Sequence, residues 1–326
     1  MNTRAVTSPG RMLNVASTQT GPFGRLWRLV VTDFRRNKLV YLMLTPVVAW
    51  YLLFHYAPMY GAQIAFRDFV PARGIWGSQW IGLANFQSFF ESFYFWRLLR
   101  NTVLISLLDL ALGFPAPILL ALLLNEIRST RFKRTVQTIT YMPHFVSLVV
   151  VVGLVLEFLA RDGLVNQLLS GLRSGPIAFM QQPEWFRAIY VLSGIWQHAG
   201  WGSIIYLAAL AGIDPTLYEA AMMDGAGRLR QVIHVTLPGI ASTITILLIL
   251  RIGALMAVGF EKVILMYNPI TYETADVIAT YVYRKGLLEM DFGFSSAVGL
   301  FNSAVNFALL IIANTISRRV NQSSLW

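Results

Sequence analysis

Two opposite charges lie deep inside otherwise apolar stretches of the chain: Asp109 within Asn101–Asn125, and Arg251 at the end of Gln231–Leu250. Charges inside apolar spans are costly and normally face a cavity or each other. Two chemistries follow. Asp109 and Arg251 can neutralise one another as a structural link, or Arg251 can offer a fixed positive charge to an anionic ligand where the dielectric is low. A second constellation is "WQHAGW", Trp196–Trp201. Gln197 and Trp201 are four residues apart and share a helical face, with Trp196 and His198 beside them. Aromatic faces with amide donors suit a sugar ring, which has apolar patches to stack and hydroxyls to bond. Packing inside a helix bundle explains the same residues without a ligand. The third is "EAAMMDGAGRLRQVIHVTLP", Glu219–Pro238, a largely polar stretch between two apolar runs.

None of these is a catalytic arrangement. The chain holds no G-x-x-x-x-G-K-[ST] loop to cradle phosphates, so it is not expected to hydrolyse ATP itself. Its 4 histidines (55, 144, 198, 234) have no metal-ligand spacing, and with 0 cysteines there is neither a disulfide framework nor a thiolate site. No catalytic residue, metal or cofactor is expected in this chain.

The elements that must position these residues are membrane helices. With 56% hydrophobic and 13% charged residues, the composition is that of a membrane protein. A bilayer core needs about 20 apolar residues in a helix. Six runs qualify, predicting spans at 39–59, 99–124, 136–158, 186–211, 240–260 and 294–316. Pro46, Pro115, Pro117 and Pro143 fall inside spans, which membrane helices tolerate when neighbours satisfy the freed backbone. Near the outer end of the third span, Glu157 and Arg161 are spaced for an i,i+4 ion pair.

Basic residues cluster in the alternate segments holding Arg25, Arg28, Arg35, Arg36 and Lys38, then Arg128, Arg131, Lys133 and Arg134, then Arg228 and Arg230, then Arg318 and Arg319. Acids favour the opposite side. The positive-inside rule therefore puts both termini in the cytoplasm. The net charge of +10 reads as topology and lipid contact, with no nucleic acid as partner. Residues 268–291 fall outside, as a loop that meets a partner or gates a pore.

This orientation makes Glu219–Pro238 cytoplasmic. Asp214-Pro215 is a helix-start signal, Gly225 can take the positive φ that ends a short helix, and Arg228–Val235 can form a second one before Pro238. A helix–glycine–helix elbow with small Ala220 and Ala221 suits docking into a partner's groove.

The elbow resembles the EAA loop of permease subunits of ATP-binding-cassette importers. Glu219, Ala220, Ala221, Gly225, Leu237 and Pro238 match its spacing; Val235 and Val232 depart from the usual Ile and Phe but stay apolar. Two further stretches, "NEIRSTRFKRTVQTITYMPHFVS" (Asn125–Ser147) and "ADVIATYVYRKGLLEMDFGFSSAVGLFNS" (Ala275–Ser303), are similar to the branch that imports complex oligo- and polysaccharides, including the first permease of the alginate importer. "IGLANFQSFF" (Ile81–Phe90) is similar to sugar permeases.

The resemblance implies an all-α membrane protein with six transmembrane helices, in the MetI-like permease bundle. Its expected parts are a cytoplasmic tail (1–34), the first span with an extracytoplasmic segment (35–96), the core permease domain (97–317) with its coupling loop (214–238), and a C-terminal tail (318–326). Implied partners are a second homologous permease, two ATPase subunits that bind ATP and Mg, and an extracytoplasmic sugar-binding protein. Glu219, Ala220, Ala221, Asp224, Gly225, Leu237 and Pro238 would couple the ATPases. Gln197, Trp201, Arg251, Asp109, Trp196 and His198 would line the substrate path of an oligo- or polysaccharide, acidic such as alginate. The location is the bacterial inner membrane. A secondary transporter would need several midplane acids and inverted repeats; a non-transport scaffold is the other alternative.

Overall fold

A computed structural model describes residues 32–33, 36–171, 175–320 and 325. The expected N-terminal tail, apart from Thr32 and Asp33, lies outside the described residues, as do Arg35, Arg173 and most of the expected C-terminal tail. The chain divides after Gly61 into two compact units.

α1 (Lys38–Phe66) lies mostly in the first unit and is apolar around its whole circumference; Leu39, Leu42, Met43, Leu53 and Phe54 are all exposed. That is the pattern of a helix whose solvent is not water.

In the second unit a folded segment comes first. β1 (Arg67–Asp68) pairs antiparallel with β2 (Gln79–Trp80). Arg67 Nη1 donates to Ser78 O at 2.8 Å, and its guanidinium lies over Trp80. The amide of Asn85, in α2 (Ala84–Glu91), donates to Ala65 O at 2.9 Å. Phe89 then enters a core with Phe95, Phe294 and Val298. An extracytoplasmic segment between the first two spans was expected; these contacts show it folded.

The helices that follow are α3 (Phe95–Glu126), α4 (Thr130–Phe145), α5 (Leu148–Phe158), α6 (Pro183–Ala211), α7 (Pro215–Met223), α8 (Arg228–Gly239), α9 (Ala241–Gly253), α10 (Phe260–Met266), α11 (Ile278–Tyr283) and α12 (Phe292–Val320). By length and apolarity α1, α3 and α12 can each cross a bilayer. The pairs α4–α5, α6–α7 and α8–α9 pass the same test only together, bent by 102°, 72° and 62°.

Three differences from the sequence expectation have local causes. The run 136–158 is not one helix: Pro143 starts a tight turn after Tyr141, and Ser147 caps a new helix by accepting from Val150 N. The fifth span stops at Gly253, where a Cβ would lie 2.6 Å from a Leu310 methyl, and the chain turns before α10. Glu157 and Arg161 form no ion pair among the described residues, because α5 ends at Phe158 and leaves Arg161 off the helix.

Proline also shapes the helices from inside. Widened π turns occupy Leu52–Tyr56, Asp109–Gly113 and Val232–Thr236, each two residues ahead of a proline (Pro58, Pro115, Pro238). A helical proline cannot donate and its ring clashes with the carbonyl four residues back. Widening the turn moves that carbonyl away. In α3 the consequence is visible as an i→i+5 bond, Phe114 N to Asp109 O at 3.1 Å.

The bundle closes through tight crossings. α6 packs on α3 through Tyr206 and Leu210 against Ile118 and Ala121. It meets α4 at Gly200, where an added Cβ would lie 2.0 Å from Thr140 O. Beside α3 and α6, residues 268–291 fold into short capped helices rather than an open loop. The fully buried Asp276 carboxylate holds them: it receives Arg284 at 2.7 and 2.8 Å, Arg97 at 3.3 Å and the Thr280 hydroxyl at 2.8 Å.

Candidate functional site

The first site is a cavity of about 520 Å³ walled by α3, α6, the turn after α9, and α10. Asp109 reaches it because of its π turn, and because Gly113 leaves space: a Cβ there would lie 2.7 Å from Asp109 Oδ1. Across the cavity Arg251 donates to the Asp109 carboxylate. These two residues, 142 positions apart in sequence, are therefore an ion pair between α3 and α9. The Ser106 hydroxyl donates to Leu255 O beside them.

Lys262 and Glu261 also line the cavity. Lys262 is buried; its Nζ donates to Tyr190 O at 2.7 Å and lies 4.7 Å from the Tyr190 ring centre. Gly194 makes room for it, with the Nζ 3.2 Å from where a Cβ would be. Gly259 N donates to the Tyr190 hydroxyl at 3.1 Å. Sequence analysis singled out none of Lys262, Tyr190 and Glu261. The one available signal was the adjacent acid and base closing an apolar run.

α6 presents Tyr190, Gly194 and His198 to the cavity. His198 Nδ1 lies 3.3 Å from His144 Nδ1, and His144 stacks flat on Trp201 with ring centres 4.7 Å apart. Trp201 is thus linked to the cavity through His144, at the bend between α4 and α5. Gln197 and Trp201 do not share an environment. Gln197 is buried, its Oε1 without a partner among the described residues, whereas Trp201 is half exposed. Trp196 is exposed and does not line the cavity. The structure therefore brings Asp109, Arg251 and His198 together and leaves Gln197, Trp196 and Trp201 outside the lining.

The second site is the elbow. Asp214 caps α7: Thr216 N donates to its carboxylate at 2.9 Å, which holds that carboxyl below the usual range. At the other end Gly225 takes φ +74°, with Ala226 N donating to Ala221 O at 2.9 Å and Gly225 N to Met222 O at 3.0 Å. This is a complete Schellman stop. Gln231 Nε2 donates back to Ala226 O at 2.8 Å, and the Tyr218 and Thr236 hydroxyls meet at 3.1 Å, so α7 and α8 are held as one piece. Glu219, Ala220, Asp224, Gly225 and Pro238 are exposed, while Ala221 and Leu237 are half-buried. Around them Leu217, Met222, Met223 and Leu229 project large apolar side chains, Met223 being 88% exposed. An exposed apolar cluster of this kind, on an elbow cross-bonded as one piece, has the character of a partner-binding patch. Sequence analysis named the small alanines and missed these side chains.

Comparison with known proteins agrees over almost the whole chain. Residues 113–322 match the family described as binding-protein-dependent transport system inner membrane component. Protein LplB of Bacillus subtilis (strain 168) is 47% identical over 293 residues, 90% of this chain and 92% of its own. The polygalacturonan/rhamnogalacturonan transport system permease protein YteP of the same organism is 48% identical over 292 residues, 89% of this chain and 91% of its own. In the crystal structure of a bacterial ABC transporter involved in the import of the acidic polysaccharide alginate, one chain aligns with TM-score 0.84 at 46% identity, covering 91% of this chain and 99% of that one. Bent helix pairs, exposed elbow and charged cavity therefore occur in a chain that belongs to the binding-protein-dependent transport system inner membrane components, the permease subunits of ABC importers.

Proposed function

We propose that this inner-membrane permease carries an acidic oligosaccharide, such as one derived from alginate, along a path through the Asp109–Arg251 cavity. The observation that carries this reading is the near full-length similarity to the alginate transporter chain. The likeness to a polygalacturonan permease supports it, since both sugars are uronate polymers. A second homologous permease would complete the path, and an extracytoplasmic binding protein would deliver the sugar. Two ATPase subunits, binding ATP and Mg, would drive it through the elbow at 214–238. Read as six crossings, α1, α3, α4–α5, α6, α9 and α12 leave the elbow (α7 and α8) and both termini in the cytoplasm. On this reading the core permease domain is 97–317.

Alternating access needs an element that moves as a body, and the cross-bonded elbow can transmit a push without bending. Arg251 would meet the sugar's carboxylate when the path opens, exchanging its partner Asp109 for substrate.

Exchanging the charges tests that step. In importer reconstituted into vesicles, Asp109→Arg or Arg251→Asp alone leaves two like charges facing each other, and ATP-driven uptake of an alginate oligosaccharide is expected to fall at least about tenfold, the equivalent of about 1.4 kcal/mol. The double exchange should restore assembly but shift preference away from the acidic sugar. Full rescue with unchanged preference would make the pair purely structural and remove Arg251 from the path.

A further inference from the structure

The charges lining the cavity cancel: Asp109 against Arg251, and Glu261 against Lys262. That balance favours no anion. Unbalanced positive charge lies one turn away, towards the N-terminal ends of α3 and α6. On α6, Arg187 precedes Tyr190, Gly194 and His198 at i, i+3, i+7 and i+11, on the stripe that lines the cavity. On α3, Asn101 precedes Ile105 and Asp109 at i, i+4 and i+8. Arg187 Nη2 donates to Asn101 Oδ1 at 2.9 Å, joining the two stripes about 5–6 Å beyond the lining by helical rise.

Arg100 is drawn to the same place. Its Nη2 donates to Glu273 O at 3.4 Å, and the Asn101 amide donates to that same oxygen at 2.9 Å. The like charges of Arg100 and Arg187 repel across this gap, and the exposed Glu273 carboxylate offsets only one of them. Asp276 cannot neutralise the other, because its oxygens are engaged by Arg284, Arg97 and Thr280. Arg187 Nε is buried with no partner, and Arg100 is exposed. Two forked donors close enough to repel, one of them with a buried Nε lacking a partner among the described residues, are complementary to a carboxylate.

We propose that Arg100 and Arg187 form a carboxylate-binding site at the mouth of the cavity, selecting a uronate-bearing oligosaccharide over a neutral one. It rests on the permease reading, and it adds a charge-selecting step at entry, ahead of Arg251. Glu273 acts as the built-in competitor for the same two cations.

The test uses the purified assembled importer and two probes, trigalacturonate and its methyl ester, titrated at low ionic strength where exposed charges are least screened. The wild-type complex is expected to bind the acid about tenfold more tightly than the ester. Arg100→Gln and Arg187→Gln should each cut that ratio several-fold, the pair together should bring it near one, and Glu273→Gln should raise it. An unchanged ratio in the double variant, equal loss for both probes, or a wild type that does not distinguish them overturns the site. Arg187 also supports Asn101, so if its variant fails to assemble, the exposed Arg100→Gln and Glu273→Gln decide. The two readings fail separately. A charge-dependent ratio without ATP-driven uptake of either sugar removes the transport reading and keeps the site. Uptake with a ratio indifferent to these residues does the reverse.

Discussion

Replacing Gly200 with alanine is expected to lower sharply the yield and melting temperature of folded protein, whereas the same change at Gly153 leaves both intact. At Gly200 a Cβ would lie 2.0 Å from Thr140 O and 2.4 Å from Thr140 C. Those are backbone atoms of α4, so no rotamer change relieves the clash, and α4 and α6 must separate. Overpacking a well-fitted core costs about 1–3 kcal/mol and occasionally more; with backbone on both sides the upper end applies, roughly a hundredfold shift in the folded-to-unfolded ratio. The separation would also pull His144 from His198 and Trp201. Gly153, on α5, has nothing within 4 Å of its Cβ position, so alanine there adds only helix propensity. Yield of monodisperse protein in detergent and its melting temperature measure both. Equal behaviour of the two variants would show that the α4–α6 crossing is not this close.

Gly225→Pro is expected to stop uptake while leaving the chain in the membrane. Proline fixes φ near −65°, whereas Gly225 has φ +74°. It also removes the N–H that donates to Met222 O, and a redirected chain loses the Ala226-to-Ala221 bond. α7 then no longer stops at Asp224, and Met222, Met223 and Leu229 lose their common surface. Transport should drop at least about tenfold, with ATP hydrolysis either lost through release of the ATPases or continuing uncoupled. Glu219→Lys, which leaves the backbone alone, should weaken coupling through charge only. Normal ATP-driven uptake in vesicles carrying both changes would remove the elbow from the coupling mechanism.

Much of the elbow was legible because its signals are local. Asp214-Pro215 and Gly225 act on dihedrals and backbone donors within a few residues, and each performs in the structure the backbone role its residue type suggests; Pro238 does not end the second helix as expected, because the widened turn at Val232–Thr236 carries the helix through it to Gly239. The Asp109–Arg251 juxtaposition was also open to inference, since two opposite charges in apolar runs have few other places to go. What could not be read depends on how distant segments fold back. The bend between α4 and α5 was masked because Pro143 and Ser147 sit in one continuous apolar run, where a membrane helix can tolerate proline. Lys262 gives no local signal of its place; the stop at Gly253 and the turn after it bring it to Tyr190. The WQHAGW stretch shows the limit of an i,i+4 argument. It relates Gln197 to Trp201 correctly on the helix, but which stripe meets a cavity is set by the neighbours, and the stripe chosen is Tyr190, Gly194 and His198. The Asp276 cluster joins residues 97, 276 and 284, which no spacing rule connects.

We propose that the elbow is the cytoplasmic contact with the ATPase subunits, on the opposite side of the membrane from residues 268–291. The chain has 0 cysteines, so a single introduced thiol reports from one place only. Met223→Cys at the elbow and Leu287→Cys in the 268–291 region both replace exposed side chains, 88% and 63% exposed. A bifunctional thiol–amine reagent applied to the assembled importer should join Met223→Cys to an ATPase subunit and leave Leu287→Cys unjoined to it. A membrane-impermeant thiol label applied to intact cells opened only at the outer membrane should mark Leu287→Cys alone. Cross-linking of Leu287→Cys to the ATPase, or outside labelling of Met223→Cys, would contradict the account.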